Sequence, residues 1–406
     1  MALFASLLAI LLALVAALAD AVPGPGARAH SCVFGYNNDF YVLGGVGTLA
    51  NGTIFMKTPY PFTGAEESLN WTSLPDPPWQ TIPWVNSQPT FSCSNNRDGK
   101  VFLFGNAVGF AYYDPASNAW STTQPTFKPS VSMSNLMNQS GVASAVWPDG
   151  YTISIFVSGP QMYLELDSQN MTMDGVSVPG FKEDYGSFCM DVVKTTPPLP
   201  VVCGGSTSMG YSDTCWQLGL GNLSTPFAAL PEAQDACSLI AFETHFVVWP
   251  GFLSTYYSAG FPPKPINPDM YIFDMNNRSN GWGTIPNVQG SAYLPIYDYI
   301  GATVMPNTST AVLFGGQDIF STSYSSVIYQ FNLSTNLWVT PFPSPNLGPP
   351  PGTSESGPPQ KKSHVGAISA SKSSGPRAPQ TIDPKVYRSP QVPYGEWYAQ
   401  QQSEQA

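Results

Sequence analysis

The chain has 406 residues, of which only 10% are charged and 13% aromatic, together with 36 Gly and 41 Pro. That mix suits an all-β protein with many turns better than a helical one. A formal charge of −11 argues against a nucleic-acid binder, which needs a basic footprint for the phosphates, and no basic run fits an anionic membrane surface.

The chain opens with "MALFASLLAILLALVAALAD", where residues 2–19 are apolar apart from Ser6. Ala17-Leu18-Ala19 has the small-x-small spacing of a signal-peptide cleavage site, so residues 1–19 read as a signal peptide. Ala27-Arg28-Ala29 offers a second such triplet. With no Lys or Arg ahead of the apolar run, an uncleaved membrane anchor is the competing reading, since the run approaches the ~20 residues that span a bilayer. No later stretch is apolar enough to span. Eight N-x-S/T sequons, at Asn51, Asn70, Asn138, Asn170, Asn222, Asn277, Asn307 and Asn332, support export with a glycosylated surface. Six cysteines (Cys32, Cys93, Cys189, Cys203, Cys215 and Cys237) without a C-x-x-C favour disulfides over zinc.

From residue 30 one pattern recurs six times. A short strand comes first: "HSCVFG", "FSCSNN", "SAVWPDG", "FCMDVV", "CSLIAFE" and "GATVMP". An apolar run ending on glycine follows: "FYVLGG", "VFLFGN", "SIFVSGP", "PVVCGG", "FVVWPG" and "AVLFGG". A third element comes next, as in "AYYDPASNAW", "MYIFDMNNRSNGW" and "VIYQFNLSTNLW". Trp71, Trp120, Trp282 and Trp338 each precede a proline by a few residues, while the third and fourth copies lack that tryptophan. Gly45 to Gly316 is 271 residues over five intervals, a mean of about 54, close to the ~50 of Kelch blades.

Paired glycines, the downstream aromatic with Asp114 or Asp274, and the spaced tryptophans resemble the Kelch family. The resemblance implies an all-β fold, a six-bladed Kelch-type β-propeller with four antiparallel strands per blade over residues 30–342. The second, fifth and sixth copies match well; the degenerate first, third and fourth leave five or seven blades open. The physics agrees with the resemblance. A small twisted sheet cannot bury both faces alone, so blades stack around an axis. Glycine lets the backbone leave a strand sharply, and large aromatics fill the wedges between blades. After Pro343 the sequence turns rich in Pro, Ser and Gly without periodicity, so residues 343–406 read as a disordered tail.

Kelch propellers look similar to the central domain of galactose oxidase, which would imply copper held by two histidines and two tyrosines with a Cys–Tyr crosslink. The histidines here are His30, His245 and His364, spread over the first strand, an inner turn of blade 5 and the tail, so those roles are not carried over. No G-x-S-x-G, H-E-x-x-H or Walker loop occurs. Glu165 and Asp167 alternate on one strand and read as solvated. No catalytic residue, metal or cofactor is expected.

Propeller geometry sorts the loops by face. With strands a to d running from axis to rim, the a–b and c–d turns emerge on one face and the b–c and d–a loops on the other. Trp79, Trp84, Tyr256, Tyr257, Phe261, Tyr293, Tyr297, Phe320 and Tyr324 all fall in b–c or d–a connections of blades 5, 6 and 1. They would cluster on one sector, either as a lid or as a ligand surface. Six of the eight sequons map to the opposite face, Asn51 and Asn138 being the exceptions. The same map places Cys32 by Cys93 and Cys203 by Cys215 and has Cys189 and Cys237 begin adjacent blades, although six cysteines allow 15 pairings. The function expected is a secreted recognition or adhesion module with an extracellular protein or glycan ligand; the alternative is a carbohydrate-active enzyme (oxidase, lyase or epimerase) on the same scaffold.

Overall fold

A computed structural model describes residues 24–339 apart from 48–54, 63–68, 78–90, 106–108, 130, 133–140, 159–160, 179–184, 208–209, 221–224, 236, 250, 254–268, 287, 290–291, 294–296, 299 and 319–322. Among the described residues, six blades follow one another along the chain, each built on four antiparallel strands in sequence order. Blade 1 comprises Cys32–Tyr36, Asp39–Leu43, Phe55–Pro59 and Thr72–Ser73. Blade 2 runs through Phe91–Asn95, Val101–Gly105, Gly109–Asp114 and Ala119–Ser121, and blade 3 through Val142–Val146, Thr152–Val157, Met162–Asp167 and Thr172–Ser177. Blade 4 has the long strands Tyr185–Val193, Leu199–Thr207, Gly210–Gln217 and Thr225–Asp235. Blade 5 consists of Ser238–Phe242, His245–Trp249, Met270–Asp274 and Trp282–Ile285, and blade 6 of Gly301–Val304, Thr310–Phe314, Ile328–Asn332 and Leu337–Trp338. Each a strand touches the next, and that of blade 6 returns to that of blade 1. The protein is a closed six-bladed β-propeller, as the repeat predicts.

Six apolar clusters hold the ring together, one in each wedge between neighbouring blades. The wedge that closes the ring packs Val33, Phe40 and Val42 of blade 1 on Val312, Phe314 and Ile328 of blade 6. Each fully buried side chain of this size contributes about 1.5–3 kcal/mol, so closure rests on side-chain burial between two complete blades. The tryptophans fill these wedges as their spacing suggests. Trp71 lies in the wedge of blades 6 and 1, and Trp120, Trp282 and Trp338 pack against those of blades 1–2, 4–5 and 5–6. The Trp120 indole also donates to the Pro75 carbonyl of the preceding blade at 2.7 Å. Where the tryptophan is missing from blade 3, Met173 is buried in the corresponding wedge with blade 2.

The paired glycines have one local cause. Gly44–Gly45, Gly204–Gly205 and Gly315–Gly316 repeat the same backbone, with φ near 65–73° and then 100–101°. Two successive left-handed residues, at the end of strand b in blades 1 and 6 and at a register shift within it in blade 4, are strained for any side chain with a Cβ. Turn chemistry repeats as well. Asp114, Asp167, Asp274 and Asn332 each open a c–d turn and accept backbone N–H groups two or three residues on, the local bond that makes Asp and Asn turn formers. Blade 3 carries an additional strand, Thr126–Phe127, parallel to its outer strand, which covers that sheet edge.

Three disulfides form, with the pairings that the blade map suggests. Cys32–Cys93 joins the inner strands of blades 1 and 2, Cys189–Cys237 ties blade 4 to the entry of blade 5, and Cys203–Cys215 crosses strands b and c of blade 4. Their Cα–Cα separations are 5.9, 5.4 and 4.1 Å.

Candidate functional site

Because every a strand starts on the same side of the disc, the first residues of all six converge at one mouth of the central channel. They enclose a cavity of about 270 Å³. Its wall takes Cys32, Ser92, Ser144, Met190, Leu239 and Ala302 from successive inner strands, with His30 and Ser31 from the segment leading into blade 1. That mouth is on the b–c/d–a face. The volume equals the liquid share of about nine waters, enough for one sugar ring or one large side chain.

The polar groups of the wall are tied across the blade junctions. Ser92 and Ser94 of blade 2 both meet the Ser144 hydroxyl of blade 3, each at 2.9 Å. Ser238 of blade 5 donates to the Ile300 carbonyl at the entry of blade 6, at 2.6 Å. Further along the inner strands, Asn95 donates to the Gly35 carbonyl of blade 1 at 3.2 Å, and Asp191 of blade 4 accepts the Ala241 N–H of blade 5 at 2.6 Å. Small polar residues at these places therefore stitch adjacent blades while leaving the channel mouth open. The disulfides Cys32–Cys93 and Cys189–Cys237 lie in the same wall.

Two ionisable groups mark this region. His30 keeps part of its surface accessible at the cavity, but protein surrounds it, and loss of hydration pushes its imidazole down to about 3. It is neutral at physiological pH and too weak a base for general-base work there, since such a group is best poised near the operating pH. Asp191 is half-buried on strand a of blade 4. Burial raises its carboxyl to about 6, against the opposing effects of the Ala241 and Val192 N–H groups and of Lys194. Among the described residues the cavity wall carries no charged side chain at neutral pH. Its chemistry is that of hydroxyl, imidazole and apolar contact.

No family model matches the sequence, and no curated protein matches it. The chain is similar to the solved structure of YjhT, with a TM-score of 0.54 at 11% identity, over 78% of this chain and 98% of that one. The likeness is one of fold.

The aromatic residues expected on this face divide into two groups. Trp79, Trp84, Tyr256, Tyr257, Phe261 and Phe320 lie outside the described residues. Tyr293 and Tyr297 are described by their backbone: Ala292–Tyr293 pairs with Val288–Gln289, and Tyr297–Asp298 pairs with Gln317–Asp318 of the blade 6 b–c loop. Half-buried Tyr324 bridges back to Gln317, and its ring lies 3.0 Å from where a Cβ on Gly47 of the blade 1 b–c loop would sit. Loops of blades 5, 6 and 1 do meet on one sector.

The sequons described sit elsewhere. Asn170, Asn277 and Asn332 are in c–d turns, Asn70 in the c–d connection of blade 1, and Asn307 in the a–b turn of blade 6, all exposed or half-exposed on the face opposite the cavity. Asn51, Asn138 and Asn222 are outside the described residues. His245 lies 3.6 Å from Asp274 and not at the cavity. Glu165, expected to be solvated, is half-buried and accepts the Tyr163 hydroxyl at 2.7 Å, and its carboxyl is raised by burial; the buried tyrosine beneath it draws it in. Reading residues one motif at a time sets His30 aside and misses Ser31, Ser92, Ser144 and Ser238. Their signal is positional: they sit at or near the start of the recurring short strands of blades 1, 2, 3 and 5.

Proposed function

We propose that this chain is an exported, glycosylated Kelch-type propeller that acts by recognition, holding a protein or glycan ligand on the face where the axial cavity opens. The observation that carries the reading is the asymmetry of the disc. The cavity and the joined loops of blades 5, 6 and 1 lie on one face, while the described sequons lie on the other. Glycans there would leave the cavity face open to a partner. The glycine and tryptophan repeats support the Kelch assignment over residues 30–342, and three disulfides suit an oxidising, extracellular compartment. Residues 1–19 serve as the signal peptide, and residues 343–406 form a tail. Uncharged walls with Phe91, Phe188 and serine hydroxyls suit a sugar ring or an aromatic side chain.

The test is a screen of the secreted protein on glycan and cell-surface protein arrays, with metal content read from the same sample. A specific ligand whose binding is lost in a Ser92→Leu variant supports the proposal. Stoichiometric metal with turnover of a sugar substrate, and no retained ligand, would replace it with the enzymatic reading.

A further inference from the structure

We infer that residues 24–31 are a clasp that closes the propeller ring, and that processing of the exported chain therefore cuts at Ala17-Leu18-Ala19 and spares Ala27-Arg28-Ala29. The inference rests on the export reading for the existence of a cut, and on the geometry alone for its position.

Both complete blades at the closure come from their own stretches of chain, so no strand is shared between them. The segment ahead of blade 1 spans the junction instead. Arg28–Ala29 pairs antiparallel with Val46–Gly47 of the blade 1 b–c loop. On its other side, the Arg28 N–H donates to the Ser325 carbonyl and the Gly316 N–H donates to the Arg28 carbonyl, both at 2.8 Å, and both partners belong to blade 6. The Arg28 side chain adds a bond to the Gly44 carbonyl at 3.0 Å. Arg28 and Ala29 are 0% and 1% exposed.

The glycines around the segment are shaped to admit it. A Cβ on Gly47 would strike the Ala27 carbonyl and come within 2.8 Å of the Arg28 Cα; one on Gly315 would strike the Arg28 carbonyl; one on Gly24 would meet the Trp71 indole at 3.0 Å. Two of these, Gly47 and Gly315, have φ of 146° and 73°. Blades 1 and 6 thus both leave room for this strand. A cut after Ala29 would remove it, and would also place a new α-amino group on His30 in the cavity wall. Ring closure and the cavity are linked through the same few residues.

The experiment has two arms. Intact mass and N-terminal sequencing of the secreted protein should show a start at Asp20, and any start from 20 to 24 preserves the clasp. In parallel, limited trypsin digestion reads the Arg28–Ala29 bond directly. It should resist cleavage in the native protein and be cut about tenfold faster or more in Gly47→Ala, because local opening sets access to a buried bond. His30 as the mature N-terminus of a folded protein would overturn the clasp. Equal cleavage of Arg28 in the native protein and Gly47→Ala would do the same. A chain still starting at residue 1 or 2 would overturn the cut, and the trypsin arm would then judge the clasp by itself.

Discussion

The four cysteines around blades 4 and 5 allow a controlled test of what the disulfides do. Cys189–Cys237 and Cys203–Cys215 bury their sulfurs in the same apolar cluster, yet they close loops of 48 and 12 residues. If a crosslink stabilises mainly by restricting the unfolded chain, each contributes about 4 and about 3 kcal/mol respectively, and the difference is about 1.2 kcal/mol in favour of the longer loop. Local packing argues the other way. Cys203 and Cys215 are 1% and 0% exposed against 5% and 9% for Cys189 and Cys237, so removing the shorter link leaves the tighter void. The perturbations are the double variants C189A/C237A and C203A/C215A, measured by urea denaturation followed by tryptophan fluorescence. The expected result is the larger loss of stability in C189A/C237A, with the larger rise in the denaturant slope, because its unfolded chain expands more. A loss in C203A/C215A equal to or above that in C189A/C237A would refute the entropic account and make packing around the sulfurs the main term.

Three further outcomes follow from the geometry. Burial raises the Asp191 carboxyl to about 6, above an unfolded value near 3.9, so its contribution to stability is fully present below about pH 4 and lost as pH rises through about 6. The shift is worth at most about 3 kcal/mol; urea midpoints should climb between pH 7.5 and 5, and an Asp191→Asn variant with an unchanged slope over that window would remove this group as the cause. Trp120→Phe keeps most of the wedge filling but deletes the bond to the Pro75 carbonyl, and should cost about 1–2 kcal/mol in the same assay. Ser92→Leu narrows the cavity while Ser94 still satisfies Ser144, so ligand capture should fall with a stability change under about 1 kcal/mol; undiminished capture would place the ligand away from the axis.

Much of the architecture is written locally, which is why the sequence alone determines it. A strand that ends or bulges on two left-handed residues must show two glycines there, as at Gly44 and Gly315, where it ends, and at Gly204, where it bulges, whatever surrounds it. A turn opened by an Asx side chain must show Asp or Asn there, as at Asp167 and Asn332. These requirements repeat with the blade, so period and strand order are legible as a spacing. The blade map places the cysteines near one another, but the choice among 15 pairings is made by the folded sheets. What only the tertiary structure decides is everything that depends on closing the ring. Ser92, Ser144 and Ser238 are unremarkable small residues until six strand starts converge on one axis and make them a cavity wall. Residues 24–31 read as the margin of a leader until blades 1 and 6 meet and leave a slot of their shape. Glu165 is drawn beneath the surface by a hydroxyl two residues away that is itself buried only because blade 4 covers it. Local conformation is a property of a few consecutive residues, and spacing can carry it. Burial, a shared cavity and a shifted carboxyl arise from neighbours distant in the chain, and only the closed ring supplies those.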